Sequence, residues 1–217
     1  MKPWPFSNTT PLPVARGVYG SCPGRHALII GLLLFVASGV AVAQPSTFAI
    51  WKGNSVVGKV YVDRKVQGER TQYVMTSRAE VQVLWTQRIR TSASTEYLGG
   101  RLTSCHTAVN VNDELRDSSR MHGADGRWSG YLHPGRTMPV TCRNPWSTAR
   151  MYYEEPLGQQ TVYVESVLAD CPLRRISEGV YQLTLPDGHV NRYVYRNGVL
   201  QEIQVDRLFF DLVFRRV

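Results

Sequence analysis

From Lys59 onward, polar and apolar side chains alternate with a period of two over most of the chain, and turn-forming residues cut the alternation at short intervals. Residues 59–66 set Val60, Val62 and Val66 against Lys59, Asp63 and Lys65, and Gln67-Gly68 turns the chain. Residues 70–85 then put Tyr73, Met75, Ala79, Val81, Val83 and Trp85 on one face, a long strand or one with a bend. Residues 88–97 end at Gly99-Gly100, where two residues without Cβ permit a tight hairpin. Further strands are predicted over 101–111, 115–121 and 128–131, and again over 181–185, 190–195 and 199–205. Asn197-Gly198, between two alternating runs, is a strong short-range hairpin signal. The last strand, 208–214, places Leu208, Phe210, Leu212 and Phe214 on one face.

One stretch breaks the period. Residues 144–156 carry the cap-type residues Asn144 and Ser147, a proline allowed in a first turn at Pro145, and a terminating Pro156, which together predict one short helix near 147–155. The fold class that follows is mainly β: a single strongly curved antiparallel meander sheet, half-barrel or barrel-like, with one short helix packed on it.

Before the alternation begins, residues 27–37 form an apolar core too short for an ordinary membrane-spanning helix. Arg16 and Arg25 precede it and Ala41-Val42-Ala43 follow, so residues 1–43 read as a signal peptide cleaved before Gln44. The expected address is exported, periplasmic or secreted, and residues 44–217 form one antiparallel β domain with no stable transmembrane segment after cleavage. The basic region is longer than export requires, which makes a translation start downstream, at Val18, an alternative. Cys22 lies before the apolar core, the wrong side for a lipoprotein.

The full chain has a formal net charge of +8. Cleavage removes Lys2, Arg16 and Arg25 and no acid, so the mature chain stays basic, but its arginines are scattered and cluster only as Arg174-Arg175 and Arg215-Arg216. That scatter argues against a nucleic-acid partner. Three cysteines survive cleavage, permitting one bridge and one thiol. Cys142 and Cys171 flank the helical segment and are the expected disulfide pair, leaving Cys105 in an alternating stretch.

Several of these segments carry a resemblance. Phe48-Ala49-Ile50-Trp51-Lys52-Gly53, Gly58-Lys59, the turn 96–102, the helix end Tyr152-Tyr153-Glu154-Glu155-Pro156, Leu185-Pro186-Asp187-Gly188 and Tyr195-Arg196-Asn197-Gly198 resemble an uncharacterised family of secreted bacterial antiparallel β proteins. The resemblance implies the fold and the export and brings no activity with it.

No catalytic, metal or cofactor site is expected. His106, His122, His133 and His189 share no ligand spacing with one another or with cysteine. Cys105 and His106 are neighbours in a strand and point to opposite faces. Glu154 and Glu155 diverge by about 100° on a helix and do not converge on one bond. One of them is expected to pair with an arginine and the other to face water.

The leading reading is a non-enzymatic binding or structural domain, with an apolar or lipid-like small molecule as its possible ligand. Trp85, Trp146, Tyr152, Phe210 and Phe214 are the aromatics expected to bound an apolar pocket or to fill it. Two alternatives come from other classes. A small outer-membrane barrel fits the alternation, but 86–96 and 116–122 are polar on both faces. A secreted hydrolase would have to act without a recognisable motif.

Overall fold

The computed structural model describes residues 45–82, 85–124, 127–140, 146–206 and 211–217. All the strands among them join one antiparallel sheet, built from two meanders. The first runs β1 (Ser46–Lys52), β2 (Ser55–Gln67), β3 (Arg70–Gln82), β4 (Thr86–Leu98), β5 (Arg101–Val111), β6 (Glu114–Ala124), β7 (Arg127–Leu132) and β8 (Arg136–Pro139). Helix α1 (Thr148–Met151) follows, and the second meander runs β9 (Thr161–Val164), β10 (Ala169–Ser177), β11 (Val180–Thr184), β12 (Val190–Arg196), β13 (Val199–Val205) and β14 (Leu212–Arg216). The returning strand β14 pairs with β1, which gives the 14-strand order β8-β7-β6-β5-β4-β3-β2-β1-β14-β13-β12-β11-β10-β9. The sheet is not closed: β8 and β9 are its two ends.

The predicted meander, its hairpins and its short helix are present, the helix as the single turn Thr148–Met151 and not the expected 147–155. At the β12–β13 turn Asn197 and Gly198 both take positive φ, 52° and 74°, the conformation that a two-residue hairpin of matching twist requires. Curvature has a local cause. Register shifts at Ile50/Trp51, Glu96/Tyr97, Val109/Asn110, Arg175/Ser177 and Val194/Tyr195 each insert an irregularity that bends and twists the strand bearing it. The sheet is thus strongly curved and barrel-like without closing its hydrogen-bond ladder.

Period-two alternation tells which face is inside. Val60 and Val62 of β2, with Tyr73, Ala79 and Val81 of β3, are buried, while Lys59, Arg78 and Glu80 face solvent. Phe48, Ile50, Leu183, Leu200 and Ile203 continue the core across the sheet. Trp85 departs from the expectation. Strand β3 ends at Gln82 and β4 starts at Thr86, so Trp85 falls in the connection, where alternation no longer fixes a face, and it is 59% exposed. Of the predicted last strand, Leu208 and Phe210 lie outside the described residues, and the observed β14 begins at Leu212.

Strand β9 behaves unlike the others. Val162, Tyr163 and Val164 are all buried, because this end of the sheet curls into the concave side and is packed on both of its faces. Tyr163 joins a cluster with Tyr73, Tyr97, Leu102, Cys105 and Met121, whereas Val162 and Val164 join the cluster of Phe48, Val60 and Tyr195. The geometry comes from β10, whose residues 169–172 pair with β9 and whose residues from Leu173 pair with β11. Pro172, which has no N–H to give to a ladder, stands at that change of partner. On the far side, Leu168 packs against Gly130 of β7, where a Cβ would come within 2.7 Å of the Leu168 side chain and 2.3 Å of Val140. Only a glycine admits that approach.

Candidate functional site

Helix α1 lies over the concave face of the sheet and is tied to it at both ends by tyrosines. At its start, the Tyr97 hydroxyl of β4 donates to Ser147 Oγ at 2.7 Å. At its end, the Tyr195 hydroxyl of β12 donates to the Met151 carbonyl at 2.6 Å. Just beyond, Tyr181 donates to Glu155 at 2.7 Å, and Tyr152 packs edge-on against Phe48 with ring centroids 5.6 Å apart. Burial holds the Tyr97 and Tyr195 phenols well above the ordinary phenol range, with the Glu165 carboxylate adding to the effect at Tyr97. Both therefore stay protonated donors.

The predicted acid pair at the helix end is used differently from expectation in one half. Glu154 accepts from Arg150 at 2.7 Å and lies 3.5 Å from Arg64, while Glu155 takes the Tyr181 hydroxyl bond instead of being left to water. Arg150 also stacks over the Trp146 ring at 4.1 Å. Ser147 is the N-cap residue, as its sequence position suggests, but its side chain makes no cap bond.

That capping role falls to Glu165, the residue after β9. Its Oε1 accepts from the Ala149 backbone N–H at 3.1 Å and from the Thr95 hydroxyl at 3.2 Å, and its Oε2 accepts from the Thr148 hydroxyl. Its backbone carbonyl accepts from Ser119 Oγ at 2.5 Å, and Ser119 in turn bonds Thr107 at 2.7 Å. Glu165 is only 3% exposed and makes no ion pair among the described residues. A buried carboxylate is tolerated here because hydrogen-bond donors surround it in place of water.

Above this network the sheet and helix leave a cavity of about 410 Å³. Met75 of β3, Ile89 and Ala93 of β4 and Val109 of β5 form one wall. Val205 of β13 with Leu212 and Phe214 of β14 form the opposite one. Thr148, Ala149 and Tyr152 of α1 and its end roof it, and Glu165 and Ser166 lie at the join. At the cavity β4 and β5 present short side chains, Thr91, Ala93 and Thr107, whereas β2, β11 and β12 bury Val60, Val62, Tyr181, Leu183, Tyr193 and Tyr195. Desolvation, reinforced by Glu165, pushes the Tyr152 phenol well above its ordinary range.

Of the five aromatics singled out in the sequence, the cavity brings together two, Tyr152 and Phe214. Trp146 is partly buried on the core beneath Arg150, Trp85 is exposed, and Phe210 lies outside the described residues. Cys142 lies outside them too. Cys171 is buried, with its thiol 3.8 Å from the Ala169 carbonyl and pushed up to about 11 by desolvation. Glu165 is the residue that the sequence reasoning missed. Its signal was available: a single acid inside the mostly apolar run Val162-Tyr163-Val164-Glu165-Ser166-Val167-Leu168. Among the described residues, no His, Cys, Asp and Glu side chains group to hold a metal ion.

A family model described as "Domain of unknown function (DUF6134)" matches residues 48–217, so the chain belongs to that family. No curated protein matches it. Among solved structures it is similar to the crystal structure of a beta-barrel-like protein of domain of unknown function DUF1849 from Brucella abortus. The identity is 13%, the TM-score 0.51, and the match covers 80% of this chain and 95% of that one. The likeness is one of fold.

Proposed function

We propose that this member of the DUF6134 family is an exported, non-enzymatic carrier that holds an apolar, lipid-like molecule in the cavity beneath α1. The observation that carries the reading is the cavity itself. Protein interiors are packed with few voids larger than a water molecule, so about 410 Å³ bounded by Met75, Ile89, Val109, Leu212 and Phe214 is a volume within the range of small-molecule sites. The walls come from strands at both arms of the meander and from the helix, a rigid frame for a ligand.

The sidedness of the sheet supports this over a membrane-spanning barrel. Such a barrel turns an apolar band outward, whereas here Phe48, Val60, Val62 and Val81 point into the core and Lys59, Arg78 and Arg90 point out. For a hydrolase, Cys105 is buried and its neighbour His106 is exposed, on opposite faces of β5.

The test is binding of a neutral apolar fluorophore, N-phenyl-1-naphthylamine, to the purified protein. Fluorescence should rise with saturation in the wild type and be lost in Ala93→Phe, which fills the cavity, at a retained β-sheet circular dichroism spectrum. A folded wild type that leaves the fluorophore dark overturns the carrier reading.

A further inference from the structure

We infer that the molecule held in this cavity ends in a group that donates hydrogen bonds and carries no negative charge, an amine or an alcohol on an apolar chain, and that Glu165 is the residue that reads it. The inference rests on the carrier reading above and adds the chemistry of the ligand's polar end.

The first support is the charge of the lining. Among the described residues that line the cavity, Glu165 is the one carboxylate and none is lysine, arginine or histidine. A carboxylate or phosphate head entering the cavity would meet a like charge with no guanidinium or ammonium among those residues to offset it, in surroundings where water does little screening. The nearest helix cation, Arg150, is committed to Glu154 and to the Trp146 ring.

The second support is acceptor arithmetic. A carboxylate offers about four lone-pair positions, two on each oxygen. Oε1 of Glu165 fills both of its own with Thr95 and Ala149, but among the described residues Oε2 receives only Thr148. One acceptor position is left on Oε2, on a side chain that is almost wholly buried and lines the cavity. Water or a ligand donor is what satisfies such a position, and an ammonium or hydroxyl does so without a charge clash. The remaining polar side chains named on the walls, the hydroxyls of Thr91, Thr107, Thr148, Tyr152 and Ser166, can each donate or accept, so the discrimination lies with Glu165.

Displacement of bound N-phenyl-1-naphthylamine by three molecules of equal chain length, dodecylamine, dodecanol and dodecanoate, separates the possibilities. At neutral pH and below the micelle concentration of each, dodecylamine should displace the fluorophore at a concentration at least about tenfold lower than dodecanoate, with dodecanol between them. The chain's formal charge, +8 in full and 22 − 17 = +5 after cleavage, favours dodecanoate at any non-specific surface, so an amine preference runs against the overall field and points to the cavity. Glu165→Gln, which keeps the shape and loses the charge, should narrow the gap to about threefold or less. If that variant does not fold, the wild-type ratio decides alone. Dodecanoate displacing as well as dodecylamine, while Ala93→Phe still blocks the fluorophore, would overturn the head-group inference and leave the carrier standing. A wild type that binds no fluorophore would overturn both.

Discussion

Replacing Glu165 by alanine should cost about 3 kcal/mol of folding stability, a figure that follows from what the carboxylate leaves behind. The Ala149 N–H is fixed by the first turn of α1 and cannot swing to another acceptor, and an unsatisfied buried donor of that kind costs about 1–3 kcal/mol. Thr148 and Thr95 can rotate their hydroxyls, so each adds less, on the order of 0.5–1 kcal/mol. Together these come to about 2–5 kcal/mol, and removing a buried charge gives back part of its desolvation cost, which brings the total to about 3 kcal/mol. For a domain of this size, such a loss lowers the melting temperature by about 6–12 °C. Differential scanning calorimetry measures it directly. Glu165→Gln retains an acceptor for the Ala149 N–H and should lose only about 1 kcal/mol. If the alanine variant melts within about 2 °C of the wild type, or above the glutamine variant, the carboxylate is not what holds the helix start, and the capping argument fails.

The remaining expectations concern other parts of the molecule. Gly198→Val should destabilise by about 1 kcal/mol or more, because a β-branched residue resists the φ of 74° at the β12–β13 turn; an unchanged denaturation midpoint would contradict it. Gly130→Ala should cost about 1–3 kcal/mol, since its Cβ would meet Val140 and Leu168 at 2.3 and 2.7 Å, and hydrogen exchange should then rise first in β7 and the β9–β10 turn. Stability should fall as pH rises above about 10, by roughly 1.4 kcal/mol per pH unit for each of the buried Tyr97 and Tyr195. The sign follows from proton counting: the unfolded phenols ionise near 10 while the folded ones keep their protons, so high pH favours the unfolded chain. Denaturant titrations at a series of alkaline pH values, showing no such decline, would refute it. N-terminal sequencing of exported protein should begin at Gln44, and a start upstream of the apolar core at residue 27 would argue for an anchor instead.

The meander was legible in the chain because its signal is local. Period-two alternation and hairpin residues such as Asn197-Gly198 state both the strand and its partner within a few residues, and the antiparallel neighbours of β2 through β6 follow directly. Strand β9 gives no such signal. Val162, Tyr163 and Val164 are buried on both faces, so they do not alternate, and only the change of partner along β10 at Pro172 places them inside the sheet. Trp85 was misplaced for the converse reason: an alternation that continues through a turn carries no information about a face. The cavity depends on contacts between β4 and the turn after β9, about 70 positions apart in the chain, and spacing arguments do not reach that far.

The polar residues that looked least like a core turn out to explain one another. Residues 86–96 read as polar on both faces, which counted against a lipid-facing band, yet Thr95 is fully buried and Thr91 lines the cavity. The place of Thr95 inside is set by Glu165: a buried carboxylate needs donors within reach, and a β-branched hydroxyl residue supplies one while keeping strand propensity. Thr95 donates to the carboxylate and Ser119 donates to the Glu165 backbone, with Thr107 bonding Ser119 behind it, so strands β4, β5 and β6 each contribute one member. Thr107 belongs at once to this network and, with Thr91 and Ala93, to the short side chains that leave room for the cavity. The hydroxyl-lined wall, the empty volume and the buried acid are therefore one feature of the fold, and replacing Thr95 by valine should weaken the helix start and change the polar end of the cavity together.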